Sequence, residues 1–80
     1  MRLDKFLKVS RLIKRRTVAN EACDAGKILV NQKTARASYS VKETDIIEIN
    51  IGNKPLKVRV KKILEHANKE NTNEMYEVIE

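Results

Sequence analysis

The chain has 80 residues, 35% charged and 41% apolar, with a formal net charge of +6. A chain this short buries only about 60% of the surface its unfolded form exposes, so it holds one modest core and no deep enzyme cleft. No apolar run approaches the ~20 residues needed to cross a bilayer. Charges interrupt every apolar stretch near the N-terminus, against a secretory signal. The single cysteine, Cys23, has no internal partner for a disulfide, and a cytoplasmic location is the reading.

The charge is unevenly laid along the chain. Residues 1–16 carry seven Lys/Arg against one acid, and residues 27–62 carry nine against three. Between them, residues 17–26 hold two acids, and residues 63–80 hold five acids against one cation. Two basic blocks flanking a short acidic segment form a polyanion footprint rather than an interspersed soluble surface.

The first predicted element is a helix of about three turns. Leu3, Phe6, Leu7, Ser10 and Ile13 recur at three- and four-residue spacing and share one face. A second helix is predicted to open on Thr17 as N-cap and to stop at Gly26. Its apolar stripe is read as Val18, Ala22 and Ala25, small enough for close approach to the first helix.

After Gly26 the period changes to that of strands. "ILVNQKTA" reads as a strand, a turn at Asn31-Gln32 and a second extended piece. "DIIEINI" alternates β-branched residues and ends at a turn on Gly52-Asn53. "LKVRVKKIL" has one apolar and one cationic face, with Pro55 at its start. "EMYEVIE" follows a polar loop as the last strand. Helices first and antiparallel strands after give an α+β class, expected as a single domain over residues 1–80 with a short acidic C-terminal strand or tail.

No catalytic constellation is present. The one histidine, His66, reads as a surface imidazole, and Cys23 as a small buried packing residue. There is no phosphate-loop pattern and no zinc spacing, so neither cofactor nor metal is implied. Lys14, Arg15 and Arg16 are different, because they stand before a helix N-terminus, where the macrodipole disfavours cations. An external anion explains them better than local folding does, and backbone N–H groups near Thr17 suit phosphate. Only Phe6, Tyr39 and Tyr76 are aromatic, too few to stack a run of unpaired bases, so structured RNA is the polyanion of choice. A basic adaptor for an acidic protein or a membrane surface is the alternative from another class.

The stretches "RLDKFL", "SRLIKRRT", "CDAGKILVN" and "VKETDIIEI", in this order between Arg2 and about Ile51, resemble the RNA-binding module named after small-subunit ribosomal protein four. That S-four family implies two N-terminal helices packed on a small twisted antiparallel sheet, docking on structured RNA. By position, Arg2 and Arg16 match the family's RNA-contacting arginines. Asp4 matches an acid that could orient a neighbouring arginine. Lys5, Arg11, Lys14, Arg15 and Thr17 follow in the motif, with Asn31, Lys33 and Arg36 on the facing loop.

Short free-standing chains of this kind resemble bacterial factors of ribosome-associated quality control. The resemblance implies a monomer that binds the obstructed large ribosomal subunit, touching its rRNA and peptidyl-tRNA. It also implies support for an RqcH-type partner in adding a C-terminal alanine tail. A heat-shock protein of the same domain type implies a second role, recycling of nascent-chain-blocked large subunits. Gln32 and Thr44 stand where the family usually has glycine, which questions the loop geometry around Lys33.

Overall fold

The computed structural model describes residues 1–53 and 55–79; Lys54 and Glu80, the latter the last residue of the final predicted strand, lie outside them. Helices α1 (Leu3–Val9) and α2 (Arg16–Asp24) come first. Five strands follow: β1 (Ile28–Val30), β2 (Lys33–Thr34), β3 (Ile46–Ile49), β4 (Leu56–Val60) and β5 (Tyr76–Val78), with a 3-10 turn at Thr72–Glu74. The sheet is antiparallel in the order β2-β1-β3-β4-β5.

Strand alternation places Ile28, Val30, Ile47, Ile49, Val58 and Val60 on the inner face, all buried. Leu3, Phe6 and Leu7 of α1 and Met75 are fully buried with them in one core. Arg59 on the outer face pairs with Glu77 (3.4 Å), and Lys57 stands opposite Glu48 in the β3–β4 register. The predicted cationic face of β4 is therefore set among strand acids.

Helix α1 is shorter than its periodicity predicts. It ends after Val9, although Ser10 and Ile13 are buried as the pattern requires. Arg11 takes a left-handed backbone (φ 67°) and its N–H donates to the Lys8 carbonyl, turning the chain so that Ile13 folds back onto the core. Helix α2 ends by the same device with a glycine. Gly26 (φ 74°) donates to the Cys23 carbonyl and Lys27 to that of Ala22, a Schellman motif. The inward stripe of α2 is Ala19, Ala22 and Cys23, whereas Val18 and Ala25 are exposed, so the helix is rotated from the predicted register. Burial pushes the Cys23 thiol up to about 11, which leaves it unreactive.

The turn geometry questioned at Gln32 and Thr44 is the left-handed one. Asn31 (φ 51°) and Gln32 (φ 72°) join β1 to β2, and Thr44 has φ 75°. Thr44 is β-branched, for which this region is costly. Thr44→Gly should therefore raise stability by about 0.5–1 kcal/mol, relief of strain being partly offset by added unfolded-state entropy. Chemical denaturation checks this, and a loss of stability would contradict the strain argument.

Candidate nucleic-acid interface

The start of α1 is fixed by a distant segment. The Leu3 and Asp4 amides donate to the carbonyls of Tyr39 (2.8 Å) and Ala37 (3.2 Å), and Val41 N–H donates to Met1 (2.8 Å). The first-turn amides of α1 are thus occupied within the protein. Asp4 is buried beneath them and collects donors from three directions. Its Oδ1 accepts Arg2 Nε (3.1 Å), Arg16 Nη2 (3.4 Å) and the Lys5 amide (2.8 Å). Its Oδ2 accepts Arg2 Nη2 (3.3 Å) and Asn20 Nδ2 (3.2 Å).

Burial alone would push the Asp4 carboxyl up. Hydrogen bonds from Arg2, Asn20 and Arg16 together overcome it and hold the group below its ordinary value of 3.8. The carboxylate therefore stays ionised and keeps its grip on two guanidinium groups whose side chains are 50% and 47% exposed. Each arginine is anchored by one edge and leaves further N–H donors facing solvent. Asn20, one turn after Arg16 on α2, is the contributor that sequence reasoning missed. Its spacing from Arg16 was the available signal.

Helix α2 begins at Arg16 with Arg15 as N-cap, two residues before the predicted cap at Thr17, and no side chain caps it. Thr17 lies in the first turn instead. Lys14, Arg15, Arg16 and Thr17 are all exposed at this end.

Across from α2, Arg36 lines a groove with Arg2, Asn20, Cys23 and Ser38. It also borders a shallow depression with Asn31, Lys33 and Tyr39. Arg36 thus links the arginine pair to the β1–β2 turn. Asn31 is already occupied: its Nδ2 donates to Asp45 (3.1 Å) and its Oδ1 accepts the Ile46 amide (3.0 Å).

Asp45, a second buried carboxylate that the sequence did not single out, also accepts the Tyr39 hydroxyl (2.8 Å) and the Lys42 amide (2.9 Å). The bond to Asp45, then burial, raise the Tyr39 phenol above its ordinary value. This cluster stiffens the segment whose carbonyls hold α1, so it sets Arg2 at one remove.

Three predicted contacts lie elsewhere. Lys5 pairs with Glu65 at 2.6 Å. Arg11 and Lys14 line a different hollow, with Lys8, Val9, Glu65, His66 and Ala67, which shares no residue with the Arg2–Arg36 groove. The predicted basic residues therefore border more than one surface hollow. Among the described residues no group of three or more His, Cys, Asp or Glu could hold a metal ion, and no helix is long and apolar enough to cross a membrane.

The S4 domain model matches residues 1–47. The chain is 52% identical over 79 residues to the RQC P-site tRNA stabilizing factor of Streptococcus pneumoniae, covering 99% of this chain and 90% of that one. It is 47% identical over 79 residues to the Bacillus subtilis protein of the same name, covering 99% and 92%. Among solved structures, the trimeric heat shock protein 15 of Vibrio cholerae superposes with a TM-score of 0.92 at 26% identity, over 99% of this chain and 81% of that chain. The solution structure of HP1423 superposes with a TM-score of 0.85 at 28% identity, over 100% and 98%.

Proposed function

We propose that this chain, which belongs to the S4 domain family and within it to the RQC P-site tRNA stabilizing factors, binds large-subunit rRNA and peptidyl-tRNA on obstructed ribosomes. The observation that carries the reading is the pair of half-exposed guanidinium groups of Arg2 and Arg16, held by one buried carboxylate. Preset, outward donors suit phosphate oxygens, and an aromatic-poor surface suits folded RNA better than unpaired bases. Arg15, Thr17, Lys33 and Arg36 extend the contact on either side. Asn31 supports the turn beneath it.

In this reading the protein has no catalytic step of its own. It acts as a single copy in the cytoplasm, steadying the tRNA while an RqcH-type factor directs alanine tailing of the stalled chain. Binding that neutralises ~6 phosphates should weaken with salt along a log–log slope of about −4 to −5. A flat response in sedimentation of the protein with large subunits would reject the RNA reading.

The second role implied by the resemblance, recycling of nascent-chain-blocked subunits, is the alternative. Removing the protein from cells separates the two. Lost alanine tails support the first, and unchanged tails with accumulating blocked subunits support the second.

A further inference from the structure

We propose that the outer edge of β5 is a docking site for an extended, basic segment of a partner protein, which joins the sheet as an additional strand. The inference goes beyond the RNA-binding reading and does not depend on it.

Strand β5 closes one end of the sheet, and among the described residues no strand pairs with its outer side. Its ladder to β4 uses every second residue. Glu77 stands opposite Arg59, the Ile79 amide donates to the Lys57 carbonyl (2.9 Å), and the Lys61 amide donates to that of Met75 (2.8 Å). Alternation therefore turns the N–H and C=O groups of Tyr76 and Val78 away from β4. The bonds at Met75 and Ile79 carry the extended run past both ends of the strand proper.

The side chains are open in the same place. Tyr76 and Val78 register with Val60 and Val58, so they continue the core face of the sheet. Val58 and Val60 are buried, Tyr76 is half-buried, and Val78 is 59% exposed, against 44% for Val18 and 40% for Ile51. The core face thus runs out from under its cover at this edge. Natural edges are blunted with lysine or proline, and Tyr76-Glu77-Val78 has neither. An added strand would pair with the free backbone groups and lay an apolar side chain against Val78.

Charge selects the occupant. Residues 63–80 hold five acids against one cation, in a chain of formal net charge +6. Glu77 has one 3.4 Å contact, from Arg59 on the β4 side, and its side chain is 45% exposed, which leaves acceptor capacity for a second cation. Glu74, just before β5, is exposed and has no ion pair among the described residues. These acids repel RNA, and a second copy of β5 would set acids against acids. A segment alternating apolar residues with Lys or Arg fits both faces, apolar toward Val78 and cationic toward Glu77. The edge lies at the opposite end of the sheet from β2 and Lys33, so it stays free while RNA is held there.

The test follows amide exchange of the full chain by NMR as a probe is added, a short capped peptide of alternating valine and lysine. The same peptide with glutamate for lysine is the control. In the free protein, the Tyr76 and Val78 amides should exchange about tenfold faster than those of Glu77 and Ile79. The lysine peptide should slow them about tenfold, and the glutamate peptide should leave them unchanged. Slow exchange in the free protein, no protection by the lysine peptide, or equal protection by both would each overturn the proposal.

Val78→Pro removes an outward N–H and no bond to β4, so it should abolish the protection at Tyr76 while Tm stays within roughly 4 °C. Glu77→Lys should weaken the protection about tenfold, and it keeps the test in force if the proline variant unfolds. A photo-crosslinking residue at position 78 then reports the occupant in cells. Label on a Lys/Arg-rich protein segment, lost with Glu77→Lys, is the expected result. Label on RNA, on another copy of the chain or on a segment indifferent to Glu77→Lys would overturn the proposal, as would no label.

Discussion

Arg16→Glu should lower large-subunit association by about 100-fold while reducing Tm by no more than roughly 8 °C. The asymmetry follows from where the side chain stands. One guanidinium nitrogen lies 3.4 Å from Asp4, and nearly half of the side chain is open to solvent. Folding therefore loses a long, half-solvated ion pair and gains a like-charge neighbour, a cost near 1 kcal/mol. RNA binding loses a fixed donor and meets a new anion beside its phosphates, which costs several times more. Co-sedimentation and thermal melting read the two effects separately. Affinity within threefold of the parent would remove Arg16 from the interface.

Asp4→Ala tests positioning, because simple charge counting gives the opposite sign. Deleting an acid raises the net charge and, by Coulomb attraction alone, would tighten RNA binding. If Asp4 acts by fixing Arg2 and Arg16, binding instead weakens by about tenfold, since both side chains must then be ordered at the moment of association. Stability should fall by about 2 kcal/mol, because a buried acceptor of several hydrogen bonds is lost while its donors remain within reach of water. For a chain this short that is roughly 8–16 °C in Tm.

The pH dependence has a definite sign. The folded carboxyl titrates below its ordinary value of 3.8, so its contribution is complete above that value and is lost as pH falls through the lower folded one. The stability gap between parent and Asp4→Ala should be constant near neutrality and shrink only below pH 3.8. Tighter binding by the variant would refute the positioning role.

Local chemistry made much of this arrangement legible. β-branched alternation marked β1, β3 and β4, Asn31-Gln32 marked the hairpin, and Gly26 marked the end of α2. Phe6 and Cys23 are buried as read. The end of α1 was hidden because Arg11, neither glycine nor proline, makes the left-handed turn, while Ser10 and Ile13 continue the helical burial pattern from outside the helix. The rotation of α2 depends on how two helices settle together, and Ala19 and Cys23 offered as apolar a stripe as Val18 and Ala25.

Within the site, Arg2, Asp4 and Arg16 could be placed because the motif carries them. The hollow bordered by Arg11 and Lys14 could not, since its other wall is Glu65, His66 and Ala67, some fifty residues later in the chain. Asp45 escaped notice for the same reason. Its partners Asn31 and Tyr39 are scattered in sequence and meet only in the folded chain.

The clasp between Met1–Asp4 and the segment from Ala37 to Val41 has a consequence for the order of events during synthesis. At seven residues, α1 is far below the ~12–15 needed for an isolated helix to persist. Its first amides find their acceptors only when residue 39 is available, and the bond to Met1 needs residue 41. A chain emerging from its own ribosome therefore displays Arg2 and Arg16 as loose, mobile charges until about half its length is outside. Only then can the pair be drawn into register. On the proposed reading, the newborn chain gains its arranged pair of RNA-facing arginines only when the clasp closes.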